Sequence, residues 1–202
     1  MVEDAKWLSD QALKMREKFD ARALLPALRS AYEGTNDLSD VLNINGSAYY
    51  QWSVCLVDFI KPKQVVELGG AMGVWDICIL HSLPKDSHLW SITLPEDGKE
   101  FSYVVDTYQN FHPVVGDDLN LSSWPKELDL SKTDLWFFDT IHTNEQVTKE
   151  LRLYTPFFKK GAVLLFDDIR TNDMFTMWEK LPYDKHENTD PCHYTGFGIA
   201  IV

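Results

Sequence analysis

The stretch VVELGGAMGVWD, residues 65–76, places an acid and three glycines directly after an apolar run. Gly69, Gly70 and Gly73 permit a tight turn and let a ligand approach the backbone closely. Glu67 would repel a pyrophosphate at this turn, but it would attract a positively charged group such as an ammonium or a sulfonium. The spacing GGAMG also departs from the GxGxxG of dinucleotide sites, because the third glycine comes one residue too early. The stretch therefore favours a cationic ligand, and a glycine-rich turn without a ligand stays the alternative interpretation.

Further acidic residues follow the other apolar runs of the chain. Asp117 and Asp118 follow PVV, Asp139 closes DLWFFD, and Asp167 with Asp168 closes AVLLFDD. His142 lies three residues beyond Asp139. Acids without a shared role would be scattered over exposed helices instead. Because ligands of open α/β sheets bind at the carboxyl ends of the strands, this pattern predicts a functional site at that edge.

Five short apolar runs alternate with segments of helical periodicity, which is typical of α/β proteins with a mostly parallel sheet. The runs lie at 64–68, 88–94, 113–115, 134–139 and 162–168, and a closing strand is predicted at 195–202. Helices are predicted at 49–60, 74–83, 99–111, 144–158 and 172–181. LWFF and VLLF show no polar alternation, as expected of strands that helices cover on both faces. We therefore predict a Rossmann-like, doubly wound α/β fold of the seven-stranded type, with the sheet shortened at its C-terminal end.

The chain is predicted to form one domain that begins with a helical segment. Apolar residues at helical spacing mark residues 3–32, so that 1–60 form the N-terminal helical segment and 61–202 the α/β core. The helical segment is a candidate cover of the site or a candidate contact between two copies of the chain. The charged loop YDKHENTDPCH, residues 183–193, is the best candidate for a mobile segment.

Composition disfavours several classes of partner. Lys and Arg number 19 against 31 Asp and Glu, a formal net charge of -12 without a basic cluster, which argues against nucleic acid and anionic membranes. No apolar run approaches the ~18–20 residues of a membrane span, and the N-terminus does not resemble a signal peptide. Cys55, Cys78 and Cys192 are odd in number and lack metal-clip spacing, which fits a reducing compartment. We expect a soluble, cytoplasmic protein.

In this order, the motifs resemble those of class I S-adenosylmethionine-dependent methyltransferases over about residues 45–175. VVGDDL is similar to the segment whose acid reaches the adenine, which implies that role for Asp117. DLWFFDTIHT and GAVLLFDDI are similar to the fourth and fifth strands of small O-methyltransferases. VVELGGAMG is similar to the first motif of the class, which implies that the amino-acid end of the cofactor is held by Glu67, Gly69, Gly70, Ala71 and Gly73.

A narrower resemblance is to metal-dependent O-methyltransferases of sugars and natural products, of the macrocin methyltransferase and cephalosporin hydroxylase-like type. It implies that Asp139, Asp167 and Asp168 bind Mg²⁺, that His142 is the general base, and that Asp139 also borders the cofactor. Three carboxylates at neighbouring strand ends suit this cation, which would orient and acidify a hydroxyl of the acceptor. The implied reaction moves a methyl group from S-adenosylmethionine to a hydroxyl of a small molecule, a sugar or a secondary metabolite.

The chain departs from the family pattern at three positions. Thr93 stands at the end of the second strand, where the family has an acid for the ribose hydroxyls, and Glu96 follows three residues later. Ala71 replaces the middle glycine, and Ile141 stands where many relatives have Asp. A degenerate or non-catalytic S-adenosylmethionine-binding protein is therefore the first alternative. A nicotinamide-dependent oxidoreductase is the second, disfavoured by the glycine spacing and by the missing acid at Thr93.

The candidate side chains also have structural interpretations. Asp167 and Asp168 could cap the next helix, Asp117 could form a turn after Gly116, and His142 could be a hydrogen-bonded structural histidine. Three aromatic residues before the glycine strand could line an acceptor pocket, although core packing is favoured for each: Tyr49, Tyr50 and Trp52.

Overall fold

The computed structural model describes residues 4–31, 48–71, 73–95, 102–188 and 194–202. Within them the strands are β1 Gln64–Leu68, β2 His88–Thr93, β3 Phe111–Val115, β4 Leu135–Phe138, β5 Val163–Phe166, β6 Asp184–Asn188 and β7 Phe197–Ile201. They form one sheet in the order β3-β2-β1-β4-β5-β7-β6. The first five strands are parallel, and β7 runs antiparallel to both β5 and β6. The predicted doubly wound α/β fold is confirmed.

The described helices are α1 Ala5–Arg16, α2 Leu25–Ala31, α3 Tyr49–Ile60, α4 Val74–Leu80, α5 Ser102–Thr107, α6 Asn144–Tyr154 and α7 Met174–Lys180. Short 3₁₀ turns occur at Ala21–Leu24, Leu121–Ser123, Leu130–Lys132 and Thr155–Phe157. Helix α3 ends where Lys61 adopts a left-handed conformation before Pro62, which cannot continue the helix. None of these helices has the length and apolar character that a bilayer span requires.

Apolar cores cover both faces of the sheet. Trp136 and Phe138 of β4 pack with Phe166 in the core on one face. Phe137 between them points the other way and packs with Trp75 and Phe197 in the core on the second face. Because both faces are buried, β4 and β5 carry no polar alternation, as the sequence predicted. Helices α1 and α3 pack on the second face, while the division at residues 60 and 61 stays a prediction.

The prediction of a mobile loop at 183–193 is wrong for its first half, and the sheet is not shortened. Asp184–Asn188 form the edge strand β6, and residues 189–193 lie outside the described part of the chain. Polar side chains of this strand are held by neighbouring helices. Ser9 of α1 donates to Asn188 (2.5 Å), and the Lys185 ammonium donates to the carbonyl of Trp178 at the end of α7 (2.7 Å).

Candidate functional site

The glycine turn after β1 is fitted to the neighbouring strand. Gly69 has φ +93°, and a Cβ built there would lie 1.9 Å from the carbonyl oxygen of Asp139. The N–H groups of Gly69 and Gly70 both donate to the carbonyl of Ile92, at 2.9 and 3.0 Å. Gly73, with φ 76°, precedes the first residue of α4. The first glycine of the motif is therefore required by the main chain that follows β4, whether or not a ligand is bound.

Two adjoining cavities open at the carboxyl ends of β1, β2, β3 and β4. The larger, of about 460 Å³, is bordered among others by Thr93, Asp117 and Ile141, and the smaller, of about 110 Å³, by Glu67, Gly70 and Gly73. Three residues border both cavities: Gly69, Ala71 and Asp139. The strand order reverses between β1 and β4, which is where open α/β sheets bind their ligands. Every residue predicted to bind the cofactor thus borders one or both of these adjoining cavities.

Glu67 is buried beside a second acid that the sequence analysis did not single out. The Ser91 hydroxyl lies 2.7 Å from a Glu67 oxygen and 3.1 Å from Asp76 Oδ2. Burial, followed by the charge of Asp76, raises the pKa of Glu67, and burial raises the pKa of Asp76 to about 6. A cation in the smaller cavity would favour the charged form of this pair. The signal in the sequence was an Asp inside the otherwise apolar helix VWDICIL.

The predicted base meets the predicted acids at the edge of this space. His142 Nε2 lies 2.9 Å from Asp139 Oδ1 and 4.0 Å from Asp167 Oδ2. His142 Nδ1 lies 3.7 Å from Asp168 Oδ2. Burial of the ring opposes its protonation, but the hydrogen bond to Asp139 and the charges of Asp139 and Asp168 outweigh burial and raise the pKa of His142. Thr143 caps α6 directly after this histidine, since its hydroxyl accepts the N–H of Gln146 (3.3 Å).

The structure brings two of the three predicted metal ligands together. Asp139, His142 and Asp167 offer ligand atoms within 4.8 Å of one another. Burial, followed by the charges of Asp139 and Asp168, raises the pKa of Asp167. Asp168 has a left-handed backbone with φ 52°, and its carboxylate accepts the hydroxyl of Thr195. The carboxylates of Asp139 and Asp167 are therefore the adjacent pair, while Asp168 also serves to hold the turn before β7.

A second polar network lies beside the larger cavity and was missed. Glu150 is fully buried, and its carboxyl accepts the hydroxyl of Thr140 (2.7 Å). Gln146 donates to Asp118 (3.1 Å). Burial, followed by the hydrogen bond to Asp118, raises the pKa of Glu150 to about 8. The signal in the sequence was the position of Glu150 on the apolar face of α6, three residues after the buried Val147.

The residues predicted to lie near the ribose and the adenine, Thr93 and Asp117, also form hydrogen bonds that hold the local main chain. Thr93 is buried, and its carbonyl accepts the N–H of Gly116 (2.8 Å). Asp117 Oδ1 accepts the N–H of Leu119 (2.8 Å), so the turn interpretation of this residue holds alongside its place at the cavity. Glu96, the second candidate for the ribose, lies outside the described residues.

These features lie at the edge of the sheet where the resemblance to class I methyltransferases predicts the cofactor. A family model described as a methyltransferase domain matches residues 66–169, more than half of the chain. The chain belongs to this family of methyltransferase domains, and the predicted resemblance to the class is confirmed. A search among curated proteins found no match to the sequence.

Solved structures share the fold at low sequence identity. A methyltransferase from Geobacter sulfurreducens is 14% identical with a TM-score of 0.64, covering 87% of this chain and 89% of its own. An S-adenosylhomocysteine-bound methyltransferase from Podospora anserina is 14% identical with a TM-score of 0.62, covering 100% and 98%. An O-methyltransferase from Bacillus cereus, also in complex with S-adenosylhomocysteine, is 13% identical with a TM-score of 0.61, covering 100% and 92%. The TM-scores establish a common fold, and at identities this low the likeness shows nothing beyond the fold.

Proposed function

We propose that the protein transfers the methyl group of S-adenosylmethionine to a hydroxyl group of a small molecule. The observation that carries this proposal is the hydrogen bond between His142 and Asp139, 2.9 Å long, at the border of the two cavities. A histidine oriented by a carboxylate is a common general base. Membership of a methyltransferase family supports S-adenosylmethionine as the methyl donor. It gives no support to the alternative of a nicotinamide-dependent oxidoreductase.

The charges and sizes of the two cavities favour one orientation of the cofactor. The smaller cavity carries Glu67 and Asp139 and suits the ammonium and sulfonium groups. The larger cavity extends from Gly69 past Thr93 to Asp117 and has the volume for the adenosine part. In this orientation the methyl group lies near Asp139, which borders both cavities. The roles of Gly70, Ala71 and Gly73 in cofactor binding belong to the same proposal.

His142 would take the proton of the acceptor. With Nε2–H donating to Asp139, the Nδ1 atom is free of a hydrogen and accepts the hydroxyl proton. The acceptor oxygen forms its bond to the methyl carbon while the bond between that carbon and sulfur breaks, which leaves the neutral thioether S-adenosylhomocysteine. Most of the acceleration comes from holding the oxygen, carbon and sulfur in line.

Mg²⁺ assistance forms a further part of the proposal. The adjacent carboxylates of Asp139 and Asp167 repel each other, and a divalent cation relieves that repulsion with the oxygen ligands it prefers. Asp168 would complete the oxygen set from the next position in the chain. A bound cation would supply Lewis-acid chemistry by lowering the pKa of a coordinated hydroxyl. His142 is better suited to the base than to a ligand, because Mg²⁺ is held mainly by oxygen atoms.

The acceptor is proposed to be a neutral molecule without phosphate groups. The described residues that border the cavities include Glu67, Asp117, Asp118 and Asp139 and contain no Lys or Arg. Arg170, two residues after Asp168, is paired with Glu187 (2.7 Å to Oε2). A polyanionic acceptor would meet unfavourable charge along this edge. A hydroxylated sugar or secondary metabolite meets these requirements.

The first test is calorimetric titration of the protein with S-adenosylhomocysteine, with and without Mg²⁺, and with NAD as the control ligand. We expect binding of S-adenosylhomocysteine and none of NAD. No binding of either, or binding of NAD alone, would contradict the proposed cofactor.

Turnover with a panel of neutral polyhydroxylated acceptors then tests the metal. We expect a chelator to abolish methyl transfer and added Mg²⁺ to restore it. If turnover persists in the presence of the chelator, the proposed Mg²⁺ assistance is wrong. The proposal that S-adenosylmethionine is the methyl donor would not be affected. If cofactor binds but no hydroxylated acceptor is methylated, the non-catalytic alternative is favoured.

A further inference from the structure

An aromatic residue from the N-terminal segment borders the smaller cavity. Tyr50 of α3 lines this space together with Glu67 and Asp139. The side chain is partly buried and packs against the main core. Burial raises the pKa of the Tyr50 phenol well above its usual range, so the ring presents a neutral face. A neutral aromatic ring and two carboxylates are the groups that proteins use around bound cations.

The ring of Tyr50 is held in place by other aromatic rings. It stacks on Tyr49 with ring centroids 4.2 Å apart and an interplanar angle of 29°. Tyr49 in turn stacks on Phe197 of β7, at 5.1 Å and 28°. Phe197 is fully buried against Trp52 and Phe137. Because this column is anchored in the core, Tyr50 is positioned before a ligand arrives and needs little ordering on binding.

We propose that Tyr50 is a specificity-determining residue whose ring recognises the positive sulfonium of S-adenosylmethionine and so distinguishes it from the neutral thioether of S-adenosylhomocysteine. The inference rests on the proposed function, since it assumes that the smaller cavity holds the sulfur end of the cofactor. The ammonium that Glu67 would attract is common to both molecules, so a preference between them must come from the groups nearest the sulfur, which are the Asp139 carboxylate and the Tyr50 ring. The ring adds an attraction that ends when the methyl group leaves, and this favours release of the product.

The test compares two ligands on two kinds of variant. Tyr50→Leu removes the ring, and Tyr50→Phe keeps the ring but removes the hydroxyl. We expect Tyr50→Leu to weaken S-adenosylmethionine binding relative to S-adenosylhomocysteine binding by about fivefold to thirtyfold, the range from an exposed to a desolvated cation–π contact. Tyr50→Phe should keep the wild-type ratio of the two dissociation constants within about twofold. Calorimetry measures both constants.

Tyr108→Leu is the matched control, because Tyr108 is partly buried against the same core but borders neither cavity. It should leave the ratio unchanged. If Tyr50→Leu fails to fold, Tyr50→Met, which fills the space with a flexible apolar chain, gives the same comparison.

Two results would overturn the inference. One is an equal loss of affinity for both ligands in Tyr50→Leu, which would make the residue a general wall of the cavity. The other is a Tyr50→Phe variant that behaves like Tyr50→Leu, which would assign the effect to the hydroxyl. If the wild-type protein binds neither ligand, the proposed function itself fails, and the inference fails with it.

Discussion

At the scale of single residues, His142 combines a left-handed backbone conformation with the proposed role of general base. Its φ of 53° lies in the left-handed region, which Asn tolerates better than most residues. His142→Asn therefore removes the base while keeping the turn. We expect turnover to fall by about 10²- to 10⁴-fold and the affinity for S-adenosylhomocysteine to stay within about twofold, because the ring does not border the cofactor cavities.

The measurement is kcat together with calorimetric binding on the same preparation. His186→Asn on the edge strand serves as the control and should leave both quantities unchanged. A His142→Asn variant with full turnover would show that the histidine has a structural role.

Residue-level reasoning found the acids at the strand ends and His142, but it missed the two buried acids on the helices. Glu67 and Asp139 could be predicted, because each closes an apolar run and the carboxyl ends of parallel strands meet at one edge. Asp76 and Glu150 could not be assigned, since their partners come from other elements and only the assembled sheet brings them together. The contact of Asp168 with Thr195 depends on a left-handed turn that no residue type at that position announces.

At the scale of elements, a comparison of two glycines with positive φ distinguishes the energetic cost of backbone strain from the cost of a steric clash. Gly69 and Gly161 have φ of +93° and +82°, but a Cβ at Gly161 would meet nothing within 4 Å. Gly161→Ala should cost about 1–2 kcal/mol of unfolding free energy from the backbone alone. Gly69→Ala should cost about 3 kcal/mol or more, since the Cβ also collides with the main chain of Asp139.

Urea unfolding of both variants measures the difference, and S-adenosylhomocysteine binding should be lost in Gly69→Ala only. Similar losses of stability in the two variants would contradict the steric argument.

Strands with a purely apolar sequence were predictable as elements, and the polar edge strand was not. β4 and β5 are covered on both faces, so LWFF and VLLF identify them directly. The residues DKHEN of β6 lie at the edge of the sheet, where contacts with α1 and α7 hold polar side chains. Their strand conformation results from tertiary contacts, which local propensity does not contain.

At the scale of the whole molecule, stability should depend on pH through a buried acid. The pKa of Glu150 is raised to about 8 from an ordinary value of 4.5, so the folded protein holds a proton that the unfolded chain releases. The free energy of unfolding therefore decreases as pH rises from about 4.5 to about 8 and is level above that range. Glu150→Gln removes this loss while keeping an acceptor for Thr140. We expect the variant to gain stability relative to wild type as the pH rises, by about 4 kcal/mol at pH 8.

Urea unfolding at several pH values between 5 and 8.5 checks this trend, with exposed Glu127→Gln as the control. A difference between Glu150→Gln and wild type that stays constant with pH would show that Glu150 is charged in the folded protein.

The close approach of Gly69 to the Asp139 carbonyl leaves the glycine turn and the main chain after β4 little room to shift independently. The glycine turn that would hold the cofactor cannot shift without the main chain that carries the acid next to the base. We therefore expect an acceptor that binds beside Asp139 to change the affinity for the cofactor, and thermodynamic linkage makes any such effect reciprocal. The factor by which the donor tightens acceptor binding must equal the factor by which the acceptor tightens the donor. An acceptor can thus be recognised in a mixture of unlabelled compounds by its effect on the dissociation constant of S-adenosylhomocysteine, before any methyl group has been transferred.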